Sequence, residues 1–173
     1  CSSGTDALLI PLLSKNIGPG DAVLTSPFSY IATAEVIALV GATPIFVDIY
    51  ESTYNIDPQK IDKAINFAIS RDLNPKAIIP VDLFGLPARH RLIREKADEY
   101  GLFFIDDAAQ GFGGQIGSKL VGSFGDVSAT SFFPAKPLGC YGDGGAIFTD
   151  NDELAEIMRS VRIHGGGVNK YQN

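Results

Sequence analysis

Hydrophobic residues along the chain fall into two kinds of segment. Short, nearly continuous apolar runs are typical of strands that are buried on both faces. These runs lie at residues 22–25, 43–48, 76–81, 102–106, 127–132 and 145–149. Longer segments with apolar residues at helical spacing lie between most of them, at residues 6–14, 31–40, 57–69, 88–100 and 151–163. The alternation predicts an α/β fold with a mostly parallel sheet and helices on both faces.

Turn and capping residues mark where several of these segments begin and end. Asp57 is a candidate N-cap, with Pro58 at the first helical position after it. Gly41 and Gly101 are expected to end helices. Pro11 lies inside the first helical segment and is expected to distort or shorten that helix. Ligands of such sheets bind at the carboxyl ends of the strands, so the residues after each strand are the candidates for chemistry.

The composition narrows the classes of partner. The chain has 173 residues, 45% of them hydrophobic and 20% charged, which describes a globular domain with a core of its own. No apolar run approaches the roughly 18 residues of a membrane span, so no membrane partner is expected. The net charge is −6 and there is no basic cluster. Nucleic acid is therefore not expected as a partner, because phosphate contacts need patches of Lys and Arg.

Cysteine and histidine are scarce. The two cysteines, Cys1 and Cys140, form no CxxC pair, and His90 and His164 are the only histidines. A structural zinc site is not expected, and no metal ligands are assigned. Few cysteines are typical of a reducing compartment, so a cytoplasmic protein is expected. Cys140 is expected to be a small buried residue rather than a second nucleophile.

Three segments at predicted strand or helix ends could carry chemistry. Lys136 lies in SFFPAKPLGCYGDGG, where proline and glycine enforce a tight path in which a lysine can act as a nucleophile. Two adjacent acids, Asp106 and Asp107, end the strand LFFID, so at least one is expected to face a cleft. The segment SSGTD precedes a helix whose free amides can bind an anion. Each segment also has a plainer interpretation: a solvated loop lysine, an acid that caps the next turn, and an ordinary N-cap.

Taken together, the three segments match the requirements of a pyridoxal phosphate site. Such a site needs a lysine to form the Schiff base and an acid to keep the pyridine nitrogen protonated. It also needs an anion cradle for the phosphate. Motifs for competing chemistry are absent from the chain, which contains no GxGxxG, GxxxxGK[ST], HExxH or GxSxG. The combination predicts pyridoxal 5'-phosphate as the cofactor.

Five blocks of the sequence resemble the DegT/StrS family of nucleotide-sugar aminotransferases. They are SGTDAL at Ser3, PFSYIATAE at Pro27, IDDAAQ at Ile105, GSFGD at Gly122 and SFFPAKPLGCYGDGGA at Ser131. The blocks occur in the family's order and spacing, and the resemblance covers nearly the whole chain. It implies the large domain of the aspartate-aminotransferase-like pyridoxal phosphate fold, fold type I. The segment KPLGCYGDGGA is most similar to members that aminate keto sugars carried on UDP.

The resemblance implies roles for residues around the cofactor ring. Lys136 matches the lysine that holds the cofactor, and Asp107 matches the acid that faces the pyridine nitrogen. Gln110 matches the group beside the ring hydroxyl. Tyr30 matches the aromatic residue that stacks on the ring, although Phe28 is close by and also aromatic.

At the phosphate end the resemblance assigns three further residues. Thr5 and Asp6 match the phosphate-binding start of a helix, and Ser131 matches a hydroxyl that also reaches the phosphate. His164 lies in a block that the family shares, and no catalytic role is assigned to it.

The implied activity is transamination of a keto sugar. An amino acid, glutamate in the family, gives its nitrogen to the cofactor, and a nucleotide-linked keto sugar accepts it for the synthesis of surface polysaccharide or glycans. Relatives that remove a sugar hydroxyl carry His where aminotransferases carry Lys, so Lys136 favours transamination. Two alternatives are an elimination or dehydration on the same scaffold and a non-catalytic remnant of the fold.

The chain is also expected to be part of a longer protein. The resemblance implies that residues 1–173 form part of the large cofactor-binding domain. An N-terminal segment and a small C-terminal domain would lie outside the chain. It further implies a homodimer whose active site is completed by the partner subunit.

Overall fold

The computed structural model describes residues 1–166, in which eight strands and five helices alternate for most of the chain. The strands are β1 (Asp21–Thr25), β2 (Thr43–Phe46), β3 (Asn74–Ile79), β4 (Phe103–Asp107), β5 (Gln115–Ile116), β6 (Lys119–Leu120), β7 (Val127–Ser131) and β8 (Gly145–Phe148). The helices are α1 (Gly4–Ser14), α2 (Ala32–Leu39), α3 (Ile61–Ile69), α4 (His90–Tyr100) and α5 (Asp152–Arg162). None of these helices is long and apolar enough to span a bilayer.

Six of the strands form one sheet, in the order β2-β1-β3-β4-β7-β8. All neighbours in it pair in parallel except β7 and β8, which are antiparallel at the edge. The predicted α/β fold with a mostly parallel sheet is therefore confirmed. Strands β5 and β6 form a separate two-stranded hairpin that the hydrophobic pattern did not predict, because all four of its residues are exposed.

Helices cover both faces of the sheet, as expected. One hydrophobic cluster joins Ile105 of β4 to residues of α1, α2 and α5. A second cluster joins Phe104 of β4 to residues of α3 and α4. Because successive side chains of a strand point to opposite faces, Asp106 lies on the α4 side and Asp107 on the α1 and α2 side. This alternation separates the two neighbouring acids.

The element boundaries agree with the sequence patterns in most places. Asp57 accepts a hydrogen bond from the N–H of Gln59 and caps a 3₁₀ turn at Pro58–Lys60 that leads into α3. Gly101 ends α4 with a left-handed backbone. Pro11 was expected to distort or shorten α1, and it does not shorten it, because the helix continues to Ser14 with Pro11 buried. Packing against the core thus outweighs the hydrogen bond that proline cannot donate.

Candidate active site

A cavity of about 570 Å³ lies at the carboxyl ends of β4 and β7, beside the first turns of α1 and α2. Six of the seven residues predicted for the cofactor line it: Thr5, Tyr30, Asp107, Gln110, Ser131 and Lys136. Asp6 does not line the cavity, and its carboxylate instead accepts a hydrogen bond from the hydroxyl of Ser2. Parallel strands bring these residues together because their carboxyl ends meet at one edge of the sheet.

Asp107 is the last residue of β4 and is almost fully buried. Its Oδ2 accepts a hydrogen bond from the hydroxyl of Thr33, at 2.8 Å, and its Oδ1 accepts one from the N–H of Ala109, at 3.2 Å. Burial raises the pKa of Asp107, and the bonds from Thr33 and Ala109 and the positive charge of Lys136 oppose that rise. One oxygen therefore caps the following turn, while the carboxylate also borders the cavity.

Lys136 reaches the same cavity from the loop after β7. Its backbone N–H donates to the carbonyl of Phe133 at 2.8 Å, which closes a tight turn. Gly139 stands against the start of this turn, where a Cβ would lie 2.5 Å from the carbonyl oxygen of Pro134. The loop therefore needs glycine at this position, as the run of proline and glycine suggested.

Tyr30 borders the cavity beside Lys136. The ammonium nitrogen of Lys136 lies 5.9 Å from the centre of the Tyr30 ring, which is 68% exposed. Phe28, the alternative aromatic residue, packs instead on Tyr54, with the ring centroids 5.1 Å apart. Of the two aromatic residues, Tyr30 is the one in position to cover a ring bound in the cavity.

The start of α1 forms the opposite end of the cavity. Ser3 caps the helix by accepting a hydrogen bond from the N–H of Asp6 at 3.1 Å. A Cβ on Gly4 would lie 2.5 Å from the Cβ of Ser131, so only glycine lets the helix start approach β7 this closely. The first-turn amides of α1 and the hydroxyl of Ser131 thus lie side by side, an arrangement suited to an anion.

Gln110 is held in place by the loop after β3. Its Oε1 accepts a hydrogen bond from the N–H of Phe84 at 3.3 Å. Phe84 has a left-handed backbone, with φ of 57°. Gln110 itself lines the cavity.

Sequence reasoning missed three polar residues of the cavity. Thr33 anchors Asp107, Ser29 has a buried hydroxyl without a hydrogen-bond partner among the described residues, and Asp143 lies on the cavity wall. Thr33 and Ser29 could have been found from the sequence, because both lie in the block PFSYIATAE within one helical turn of Tyr30. Nothing in the sequence around Asp143 distinguishes it from a loop acid.

Two other expectations concern residues outside the cavity. Cys140 was expected to be buried, and this was wrong: it is exposed, and its thiol donates to the carbonyl of Gly142 at 3.2 Å. His164 lies in an exposed turn after α5 and does not line the cavity.

Comparison with known proteins gives one family. The model of the DegT/DnrJ/EryC1/StrS aminotransferase family matches residues 1–173. The chain is 50% identical, over 165 residues, to a UDP-2-acetamido-2-deoxy-3-oxo-D-glucuronate aminotransferase of Pseudomonas aeruginosa. The matched region is 95% of this chain and 44% of that relative, so the chain spans about half the length of the curated relatives it matches.

Solved structures agree with this match. A DegT DnrJ EryC1 StrS aminotransferase from Brucella abortus superimposes with a TM-score of 0.98 at 54% identity, covering 100% of this chain and 47% of that one. NtdA from Bacillus subtilis, solved with the bound cofactor PMP, superimposes with a TM-score of 0.88 at 39% identity. That match covers 99% of this chain and 37% of NtdA. The fold around the cavity is thus shared with these two structures.

Proposed function

Because the chain belongs to the DegT/DnrJ/EryC1/StrS aminotransferase family, we propose that it forms the cofactor site of a pyridoxal-phosphate-dependent sugar aminotransferase. The enzyme transfers the amino group of an amino acid, glutamate, to a nucleotide-linked keto sugar. One observation carries this proposal: Lys136 and the buried carboxylate of Asp107 come from different strand ends and line the same cavity. A nucleophilic amine and an acid in one cavity are the two groups that this chemistry requires.

The residues of the cavity fit pyridoxal phosphate. Asp107 is a buried carboxylate that borders the cavity, which suits a protonated ring nitrogen because a charge-assisted hydrogen bond forms between them. The close approach of Gly4 to Ser131 places the first-turn amides of α1 beside the Ser131 hydroxyl, and together these groups could bind the phosphate. Thr5 and Ser131 would hold that phosphate, Gln110 the ring hydroxyl, and Tyr30 one face of the ring.

When bound, pyridoxal phosphate acts as an electron sink for negative charge that develops at the α-carbon of the amino acid. Asp107 keeps the ring nitrogen protonated, and Thr33 and Ala109 keep the Asp107 carboxylate fixed while it does so. Lys136 holds the cofactor between turnovers. Once free, its amine would accept the proton from the α-carbon of the amino acid, with no diffusional encounter needed because it is already in place.

The substrate class follows from the relatives. The Pseudomonas aeruginosa relative is an aminotransferase of a 3-oxo sugar carried on UDP, and we extend this to a UDP-linked keto sugar for surface polysaccharide or glycan synthesis. The chain would be part of the large domain of a longer cytoplasmic protein. A small domain and a partner subunit in a homodimer would complete the active site.

Reductive trapping in the intact protein tests the proposal. Pyridoxal phosphate is added, its bond to lysine is made permanent with borohydride, and the modified peptide is found by mass after digestion. We expect the label on Lys136, with the variant Lys136→Ala unlabelled and inactive with glutamate and a UDP-keto sugar. Lys63→Ala, which removes an exposed lysine on α3, is the matched control and should be labelled like the wild type.

Two results would contradict the proposal. A label spread over several lysines, or equally present in Lys136→Ala, would mean that Lys136 does not hold the cofactor. A label on Lys136 without an aminated sugar, but with loss of a sugar hydroxyl, would instead assign the site to dehydration.

A further inference from the structure

A second polar cluster lies on the opposite face of the sheet from the cavity. It consists of Asp82 after β3, His90 at the start of α4, and Asp106 of β4. Their side chains are between 0% and 2% exposed, and neither the cofactor nor the substrate proposed above would touch them. Buried polar groups need partners, so the contacts of this cluster have to account for every polar atom in it.

His90 joins the cluster as a neutral ring. Its Nε2 lies 2.6 Å from Oδ1 of Asp82 and 3.7 Å from Oδ1 of Asp106. The imidazole stacks on the ring of Phe124, with centroids 4.2 Å apart and planes 5° apart. Burial lowers the pKa of His90. Since Oδ1 of Asp82 also accepts the N–H of Ala88 at 2.7 Å, that oxygen is an acceptor and Nε2 carries the hydrogen.

The two carboxyl groups each have one satisfied and one unsatisfied oxygen. Oδ2 of Asp106 accepts from the hydroxyl of Ser128 at 3.0 Å and from the N–H of Gly122 at 3.4 Å. No N–H or hydroxyl donor of residues 1–166 reaches Oδ2 of Asp82 or Oδ1 of Asp106. One carboxylate oxygen of each acid and a ring nitrogen of His90 nevertheless all lie within 4.8 Å of one another. A hydrogen bond between two carboxyl groups requires a proton on one of them.

We propose that Asp82, His90 and Asp106 form a positioning unit for Asp107, in which the two carboxyl groups share one proton. The unit thereby keeps a single negative charge, rather than two, beneath the cofactor-binding carboxylate. Asp82, His90 and Asp106 are positioning residues, because they act through Asp107. The part of this inference that concerns the cofactor rests on the function proposed above.

The backbone connects the unit to Asp107. The N–H of Asp82 donates to the carbonyl of Asp107, and the N–H of Asp107 donates to the carbonyl of Pro80, both at 3.0 Å. Val81 and Asp107 form an isolated parallel bridge between these bonds. Asp106 precedes Asp107 directly in β4. The proton shared by Asp82 and Asp106 therefore ties the two strand ends together on the side of the sheet away from the cavity.

The charge of the unit depends on pH. Burial raises the pKa of Asp82 and of Asp106 to about 7, and the negative charge of Asp82 further raises the pKa of Asp106, so the pair loses its two protons in separate steps. The other charged groups around the unit are Asp107 on β4, Lys119 on β6, which acts on His90, and Arg94 on α4, which pairs with Asp126. Below about pH 7 the shared proton is present. As the pH rises through that value the proton leaves, and a second negative charge appears beneath Asp107.

Infrared spectroscopy of the intact protein tests the proton directly, without cofactor. Difference spectra between acidic and alkaline solution should contain the carbonyl band of a protonated carboxyl group. The band should disappear in Asp106→Asn and in Asp82→Asn, because an asparagine amide donates the hydrogen bond that the proton made and cannot ionise. Asp98→Asn, which changes an exposed acid of α4, is the control and should keep the band.

Cofactor affinity tests the effect on Asp107. The Kd of added pyridoxal phosphate is measured at about pH 6 and about pH 8.5, on either side of the titration. Between the two pH values Kd should change by some factor in each protein. That factor should be roughly tenfold larger in the wild type than in Asp106→Asn and Asp82→Asn. That is the effect of one unit charge at about 10 Å in a protein interior. Asp98→Asn should keep the wild-type ratio.

The outcomes separate this proposal from the function proposed above. Absence of the protonated-carboxyl band from the wild type, or its survival in both asparagine variants, would overturn the shared proton. So would a stoichiometric metal ion found by elemental analysis of the purified protein. A band that behaves as expected, with Kd ratios equal in all proteins, would overturn the positioning role. If the band behaves as expected but the wild type binds no cofactor, the shared proton stands and the proposed function fails. Two variants are used so that one that does not fold leaves the other to decide.

Discussion

Asp106 and Asp107 are neighbours in β4, both almost fully buried, yet the molecule accommodates them in opposite ways. Asp107 is 3% exposed and meets two donors, Thr33 and Ala109, with Lys136 across the cavity. Asp106 is 0% exposed and also has two donors, Ser128 and Gly122, but its other neighbour is a second acid, Asp82, rather than a lysine. Burial alone raises the pKa of both carboxyl groups. The partners on the two faces of the sheet decide which of them carries a charge.

The difference shows that one strand end can place a cofactor-binding acid on one face of the sheet and a positioning residue for that acid on the other. On the cavity face, donors and a cation stabilise an ionised carboxylate that can hold a protonated ring nitrogen. On the other face, we propose that two acids share a proton beside a neutral histidine, which avoids a second isolated charge in a dry interior, although Nδ1 of His90 has no partner among the described residues. Because side chains alternate along a strand, the two environments are separated by the thickness of the sheet.

The largest expected effect is a difference in activity between two single variants, each of which replaces one of the two acids with asparagine. Asp107→Asn should lower kcat by at least about a hundredfold, the scale at which loss of one preorganised electrostatic group slows catalysis. Asp106→Asn should lower kcat less than about tenfold near pH 6, because the unit then carries one negative charge, on Asp82, as it does in the wild type at that pH. Steady-state rates with glutamate and a UDP-keto sugar measure both effects in the intact protein.

The comparison between the two acids fails if both variants lose activity to the same degree while remaining folded. Circular dichroism and thermal unfolding of each variant supply the control for folding. Asp98→Asn, an exposed acid of α4 paired with Arg94, should behave like the wild type in both measurements.

The cavity face was largely predictable from sequence, and the opposite face was not. Asp107 and Lys136 could be found because each follows a continuous apolar run, and such runs end at the ligand-binding edge of a parallel sheet. Asp82 and Asp106 also stand at the ends of apolar runs, at 76–81 and 102–106, but no feature of these runs predicts that the two acids meet each other and His90. They lie on three elements, and their spacing in sequence says nothing about which face of the sheet each one shares. Their meeting depends on the strand order, which places β3 beside β4.

Local chemistry explains the remaining errors. Pro11 was expected to distort or shorten α1, but Pro11 is buried and the helix continues to Ser14. Cys140 was expected to be buried because small apolar residues usually are, whereas its loop follows the surface. Thr33 was overlooked because a threonine in a helix is ordinary until the partner of its hydroxyl is known.

Two glycines provide a second, smaller test of the two faces. A Cβ on Gly4 would lie 2.5 Å from the Cβ of Ser131, on the cavity face. A Cβ on Gly111 would lie 2.6 Å from the Cβ of Asp82, on the opposite face. Gly4→Ala and Gly111→Ala should each lower the free energy of unfolding by about 1–3 kcal/mol, because inserted atoms overpack a filled site. Urea unfolding measures both changes.

The two glycine variants should differ in their effect on the cofactor. Gly4→Ala should weaken pyridoxal phosphate binding at every pH, because it moves the start of α1 away from Ser131. Gly111→Ala should instead reduce the dependence of Kd on pH, because it displaces Asp82 from its shared proton. Gly20→Ala is the control, because Gly20 has positive φ but a Cβ added there would meet nothing within 4 Å, which isolates backbone strain from crowding. Identical pH profiles for Gly4→Ala and Gly111→Ala would contradict the separation of the two faces.

The smallest test removes one hydroxyl donor from each acid. Thr33→Val deletes the bond to Oδ2 of Asp107 and should cost about 1 kcal/mol of stability, the net value of a typical hydrogen bond. It should also weaken cofactor binding, because the carboxylate loses a donor that favours its charged form.

Ser128→Ala deletes the bond to Oδ2 of Asp106. That oxygen keeps the N–H of Gly122, so stability should fall by a similar amount or less, with no change in cofactor affinity at about pH 6. Urea unfolding measures the change in stability of both variants, and titration with pyridoxal phosphate measures their cofactor affinity. If Ser128→Ala weakened cofactor binding as much as Thr33→Val, the two carboxyl groups would not be independent at low pH, and the charge of Asp107 would depend on both faces of the sheet.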